Sequence, residues 1–165
     1  MINIRRATPE DFDQIWPMLH HVFAAGETYA VDPNITKSDA FDYWMGQAKA
    51  TYVAEGPAGI VGTYYIKTNQ PGGGAHVCNC GYIVDHAARG QGLAAQMCEH
   101  SQKEAQGLGY RAMQFNFVLA SNAGAVRLWH RLGFATVGTL PEAFAHPKHG
   151  YVDAFVMFKQ LTDAD

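Results

Sequence analysis

Charge is scarce in this chain. Asp, Glu, Lys and Arg make up 16% of its 165 residues, with 12 basic against 15 acidic side chains and a formal net charge of -3. No broad basic surface follows from that balance, which argues against nucleic acid and anionic membrane as partners. Long apolar runs are missing too, and none reaches the length of a bilayer span. The first residues, Met1 to Pro9, carry Arg5 and Arg6 and lack the apolar core of a signal peptide. Cysteine is limited to Cys78, Cys80 and Cys98, an odd number that makes no disulfide framework. Cys78 and Cys80 sit two apart on a strand pattern, with Cα atoms about 6.6 Å apart and parallel side chains, a poor geometry for a bond. A reduced, cytoplasmic protein is expected. His76, Cys78 and Cys80 share a strand face but lack a fourth ligand and the usual zinc spacing, and His146 and His149 read as loop, so no metal is expected.

What is present is an ordinary globular composition, 48% hydrophobic, with no repeat and no linker-like tract. One domain over 1–165 is expected, long enough for a sizeable core. "INIRRA" alternates like a strand. Thr8 as N-cap, Pro9 and acidic residues then open a helix, in which Phe12, Ile15, Trp16, Leu19, Val22 and Phe23 recur at helical spacing, with a kink expected at Pro17. "GETYAVDPN" is a loop, and "KSDAFDYWMGQA" a second helix capped by Thr36 or Ser38. Strands in "TYVAEGPAGIVGTYYIKT" flank a Gly-Pro-Ala-Gly turn. "NQPGGGA" reads as a flexible loop and "HVCNCGYIV" as the third meander strand. A helix follows, with Leu93, Met97, Cys98, Ala105 and Leu108 on one face. "AMQFNFVL" is a strand, "NAGAVRLWHRLGF" a short helix, and "FATVGTL" and "GYVDAFVMFK" are strands separated by "PEAFAHPKHG". This order predicts an α/β protein with a mixed, mostly antiparallel central sheet and helices on both faces.

The turn "DHAARGQGLAAQ" carries the chemistry. A helix start leaves backbone N–H groups unpaired at its positive end. Gly90 and Gly92 let an anion approach them, and Arg89 adds a full positive charge; a phosphate or pyrophosphate fits. A plain strand-to-helix turn is the simpler reading of a glycine pair alone. "GQGLAA" also fits the dinucleotide fingerprint G-x-G-x-x-G/A. Against a dinucleotide, "DHAAR" separates the glycines from the strand. A hairpin-rich half precedes them, and no acidic residue ends the next strand for a ribose.

"VDHAARGQGLA" resembles the acyl-CoA-binding motif R/Q-x-x-G-x-G/A of the GCN5-related N-acetyltransferases. It runs Arg89-Gly90-Gln91-Gly92-Leu93-Ala94 in the R-G-x-G-x-G/A form. "SNAGAVRLWHRLGF" is similar to the family's second signature, N-x-x-A-x-x-L-Y-x-x-x-G-F, through Asn122, Ala125, Leu128, Gly133 and Phe134. The element order matches over nearly the whole chain. "YYIKTNQPGGGAHVCNCGYIV" and "FNFV" further resemble a subgroup that includes fungal acetyltransferases of proline analogues. The resemblance implies the acyl-CoA N-acyltransferase fold, acetyl-CoA as co-substrate, and direct attack of an amine on the thioester in a ternary complex. The acceptor would be a small molecule, an amino acid or imino acid. Amides from Arg89 to Ala94 would cradle the pyrophosphate, "GYIV" would pair with pantetheine, and the backbone near Val84 would polarise the thioester carbonyl. Asn122 would cap its helix and reach the pantetheine arm.

The chain departs from the family where its signature has tyrosine, the acid for the leaving thiolate: Trp129 stands there, and an indole N–H is a very poor acid. The usual central-strand glutamate is also absent. Asn79 and Asn116 can position a substrate or water, or make structural bonds in the sheet; Asn116, between Phe115 and Phe117, reads as buried and is the candidate catalytic residue. Glu27 and Tyr29 lie in the loop that borders the acceptor site of the fold, or are simply solvated. Asp153 binds an ammonium group or faces water. Tyr29, Tyr43 and Trp44 point to a small closed pocket. The rival functions are a non-catalytic acyl-CoA-binding sensor, a transferase for protein N-termini or lysines, and, more distantly, a nicotinamide enzyme. An exposed C-terminal strand could support a homodimer.

Overall fold

The computed structural model describes residues 1–162; the last three residues of the expected 1–165 unit lie outside the described residues. β1 (Asn3–Arg6) leads into a short 3-10 turn and α1 (Phe12–Ala25). The Asp11 carboxylate accepts from the Thr8 backbone N–H at 2.7 Å, answering one of the donors a helix start leaves unpaired. The same carboxylate takes both arms of Arg5, at 2.8 and 2.9 Å, and Arg5 also reaches Glu55 at 3.1 Å. The Arg5 hydrogen bond holds the Asp11 carboxyl at about 2, below its ordinary value. Pro17 lies inside α1 and does not end it. The buried stripe of α1 comprises Phe12, Ile15, Met18, Leu19, Val22 and Phe23.

α2 (Lys37–Phe41) starts at Thr36, whose hydroxyl accepts from the Asp39 N–H at 3.1 Å, and passes into a π turn over Asp42–Gly46. Trp44, fully buried there, donates its indole N–H to Thr63 at 3.0 Å. β2 (Ala50–Gly56), β3 (Gly59–Thr68) and β4 (Val77–Val84) form an antiparallel meander. Alternation splits it into two faces. Val53, Tyr65 and Ile83 pack against α1 and Trp44. Tyr52, Tyr64, Ile66, Cys78 and Cys80 pack on the other face against α3 (Leu93–Gly107). A fully buried aliphatic or aromatic side chain is worth roughly 1.5–3 kcal/mol, so these two layers dominate the stability of the fold.

β5 (Ala112–Leu119) runs parallel to β4 but pairs with it only at Val77↔Ala112 and Cys78↔Met113. Beyond Cys78 the two strands part, β4 towards Val84 and β5 towards Leu119. α4 (Ala123–Arg131) follows, then β6 (Ala135–His146) and β7 (Gly150–Gln160). The seven strands stand in the order β1-β2-β3-β4-β5-β7-β6, the mixed, mostly antiparallel sheet expected. Among the described residues no helix is long and apolar enough to cross a membrane.

Several expectations change. The C-terminal strand β7 lies between β5 and β6, so the exposed edge behind the expected homodimer is β6 instead. β6 continues through Pro141 into the segment expected as a loop, because an edge strand with a bulge tolerates proline. His76 lies one residue before β4 and is exposed, whereas Cys78 and Cys80 are buried. Gly72–Gly74 forms a 3-10 turn. Leu108 is exposed, and Ser101 takes its place on the buried face of α3.

Candidate active site

The site lies in the wedge where β4 and β5 part. Asp85 N–H donates to Val61 C=O at 2.8 Å and Asn69 N–H to Val77 C=O at 2.9 Å. Pairing alternates along an antiparallel ladder, so Cys80, Tyr82 and Val84 turn their own N–H and C=O away from β3. With β5 gone from that side, these groups form an open strand edge facing the wedge. The Tyr29 hydroxyl donates to Tyr82 C=O at 3.0 Å, as this parity requires.

One side of the wedge opens into a cavity of about 600 Å³. Gly92, left-handed at φ +75°, is the N-cap of α3 and brings no capping side chain. The first helical bond there runs from Gln96 N–H to Gly92 C=O, so the amides of Leu93, Ala94 and Ala95 have no acceptor within the helix. Gly90 is also left-handed, at φ +80°. Of the residues of the strand end and glycine turn expected to hold CoA, Val84, Arg89, Gly90, Gly92, Leu93 and Ala94 line this cavity and Gln91 does not. Arg127 and Arg131, one turn apart on α4, line it as well and were missed in the sequence. Their signal was an i, i+4 basic pair downstream of Asn122.

The other side is a smaller cavity of about 270 Å³. Tyr43, Tyr65, Lys67 and Asn79 line it from the meander side, and Phe115 to Leu119 from β5. Asn79 is buried; its amide donates to Gln114 C=O at 2.9 Å and its carbonyl accepts from the Tyr65 hydroxyl at 3.2 Å. Gly81 is required here, because a Cβ would stand 2.5 Å from the Tyr65 ring. Lys67 Nζ lies 5.0 Å from the ring centroids of both Tyr43 and Tyr65. Burial pushes the phenols of Tyr29, Tyr43, Tyr65 and Tyr82 up, so all four stay protonated near neutral pH. Burial likewise pushes the Cys80 thiol well up and pulls the Lys67 ammonium down. Tyr65 and Lys67 were missed because their role depends on which strand face meets α1 and α2.

The two cavities share Thr28, Tyr29, Tyr82, Asn122, Ala125 and Trp129. Asn122 caps α4 by accepting from the Ala125 N–H at 3.4 Å. Trp129 lies over this wall, its ring centroid 5.3 Å from that of Tyr82 and 5.0 Å from that of Phe115.

Other expected site residues stand elsewhere. Glu27 pairs with Lys148 at 3.0 Å on the surface and lines neither cavity. The Asp153 carboxylate accepts from the Glu142 N–H at 2.9 Å and serves the bulge of β6, where Glu142 is left-handed at φ +50°. It too lines neither cavity. Trp44 is core. Asn116 does line the smaller cavity, but it is exposed. Its burial was expected from the apolar run around it, but β5 bulges between Phe115 and Val118 and is not covered on both faces at this point. Its amide donates to Asn69 at 2.7 Å and its carbonyl accepts from Gln114 at 2.8 Å.

Comparison with known proteins agrees with this arrangement. The model of the acetyltransferase (GNAT) family matches residues 12–134. The N-acetyltransferase aca1 of Schizosaccharomyces pombe is 29% identical over 166 residues, covering 88% of this chain and 79% of its own. A GCN5-related N-acetyltransferase from Kribbella flavida superposes with a TM-score of 0.91 at 41% identity, over 96% of this chain and 97% of that one. The structure of yncA from Salmonella typhimurium, with its cofactor acetyl-CoA, shares the fold with a TM-score of 0.87 at 20% identity, over 100% of this chain and 96% of that one. The glycine turn, the parted strands and the second signature on α4 thus stand in one chain that belongs to the acetyltransferase (GNAT) family.

Proposed function

We propose that this protein moves the acetyl group of acetyl-CoA to the amine of a small molecule, an amino acid or imino acid, by direct attack in a ternary complex. The observation that carries this reading is the wedge itself. It joins a cavity rich in free amides and arginines to a small aromatic one across a single wall. Acetyl-CoA in the yncA structure supports the same choice of co-substrate.

The pyrophosphate would meet the amides from Arg89 to Ala94, with Arg89, Arg127 and Arg131 adding positive charge. Pantetheine would pair with the open edge of β4, and Asn122 would reach it from the cap of α4. An edge N–H near Val84, aimed at the carbonyl oxygen, would contribute a few kcal/mol of barrier lowering. The acceptor enters from the smaller cavity, beside Asn79 and Asn116. Its nitrogen attacks the carbonyl carbon, the C–S bond breaks, and the thiolate of CoA leaves. No Asp, Glu or His lines this cavity, so the amine arrives uncharged, and the proton its nitrogen sheds as the amide forms passes to water or to the departing thiolate. Trp129 gives no proton to the thiolate, which is a fair leaving group because a thiol pKa is only about 8.5. Cys80 lines the cavity, but its raised thiol is a poor nucleophile, which favours direct attack over an acetylated enzyme.

Release of free CoA thiol from acetyl-CoA, across amino acids, polyamines and peptides, tests the reading. Turnover with amino or imino acids is expected. Binding of acetyl-CoA without release on any acceptor would instead establish the acyl-CoA sensor that Trp129 favours. Turnover on peptides alone would establish the protein N-terminus or lysine reading.

A further inference from the structure

We infer that Lys67 is the residue that selects the acceptor, by pairing with its carboxylate. The inference rests on the small-molecule reading above and narrows it to amino and imino acids bearing a free carboxylate.

Lys67 leaves β3 on the same face as Tyr65, opposite Asn79 in the register of β4, and lines the smaller cavity. It is half-buried between Tyr43 and Tyr65. Lys37 and Lys148 pair with Asp13 and Glu27. Among the described residues the Lys67 ammonium has neither an ion pair nor a hydrogen bond. Two aromatic faces offset part of the cost of desolvating an ammonium, but they leave its N–H donors unanswered. No carboxylate lines the cavity, so the local field there is positive. Such a site attracts an anionic group and repels a second cation. Polyamines and peptide lysines carry extra positive charge or no nearby carboxylate. An α-amino or imino acid carries the required anion one carbon from its nucleophilic nitrogen. With the carboxylate at Lys67, beside the Asn79 amide, the amine is left to face the β4 edge and the wall shared with the larger cavity.

The test compares the twenty common amino acids with their carboxamides as acceptors for the wild type, Lys67→Met, Lys67→Gln and Lys67→Arg. The wild type is expected to prefer the acid. Lys67→Met and Lys67→Gln should raise KM for the acid on the order of tenfold to a hundredfold, the range of a lost hydrogen bond to a charged group. Their kcat, their KM for acetyl-CoA and their KM for the carboxamide should change little, and Lys67→Arg should keep most of the preference. Comparing each acid and amide across variants cancels the difference in their amine basicity. An acid-to-amide ratio unchanged by Lys67→Met overturns the inference. A fall in kcat for both acceptors with KM unmoved also overturns it and makes Lys67 a proton acceptor instead. If no amine of any class is acetylated, the proposed activity fails, and calorimetry on the CoA-loaded protein decides Lys67 separately. Amino acid binding that Lys67→Met abolishes supports the inference; binding indifferent to that change, or no binding, ends it.

Discussion

The larger cavity takes its donors from the backbone at the start of α3 and its charge from Arg89, Arg127 and Arg131. The smaller one is lined by residues from the loop after α1, the turn after α2, β3, β4, the bulge of β5 and α4, and its polar side chains include those of Tyr43, Tyr65, Lys67, Asn79 and Asn116. A backbone site depends on φ and on the absence of Cβ atoms, so its side chains are free to vary except at glycine. A side-chain site depends on residue identity at positions distant in the chain. The difference separates what a motif can announce from what only packing assembles.

The sharpest way to break the contrast is at Gly92. Gly92→Val forces a β-branched residue into a left-handed cap, at a strain of about 1–3 kcal/mol, and sets a side chain beside the free amides. The affinity for acetyl-CoA is expected to fall on the order of a hundredfold by titration, with acceptor KM nearly unchanged. An unaltered affinity would remove the amides of α3 from the site. Asn116→Ala acts on the other side. It cuts the links to Asn69 and Gln114, and should lower kcat/KM for the acceptor on the order of tenfold while acetyl-CoA binding stays intact. Equal turnover would take Asn116 out of the site.

A smaller effect is expected from Arg89→Ala, roughly fivefold on CoA binding, since Arg127 and Arg131 remain nearby. The loss should shrink with CoA analogues that lack phosphates, and a constant loss across the series would mean Arg89 does not touch them. Asp11 provides a control remote from both cavities. Its carboxyl is depressed in the folded protein, so its stabilisation is present above the unfolded value near 4 and is lost as pH falls towards about 2. Asp11→Asn should cost about 1 kcal/mol at neutral pH and flatten the acid limb of a thermal-melt series between about pH 4 and 2, leaving both KM values alone. A shifted KM would tie the Arg5 pair to the site.

Much of the fold was legible. Among the described residues, the sequence pattern located the four α-helices and the seven strands, though not the second half of β6, and Thr36 capped α2 as one of the two residues expected there. The glycine turn and Asn122 were legible for the same reason, since caps and left-handed turns are decided by a few consecutive residues. Glu27 and Asp153 line neither cavity, and their pairing was not legible, because a carboxylate in a loop or an apolar strand looks equally free before its partner is known. Lys148 and the Glu142 amide lie far along the chain or across a hairpin. Lys67 drew no notice, because alternation alone does not say which face of β3 meets the aromatic layer.

By itself, then, the sequence determined the order of elements, the glycine-capped helix start with its free amides and the signature on α4. Each depends on backbone preferences acting over a few neighbouring residues. The tertiary structure alone decided where β4 and β5 separate, that β7 inserts between β5 and β6, that β5 bulges beside an exposed Asn116, and that Lys67 lines the smaller cavity without a carboxylate beside it. Those outcomes depend on register and on contacts between distant segments, and no local pattern encodes them.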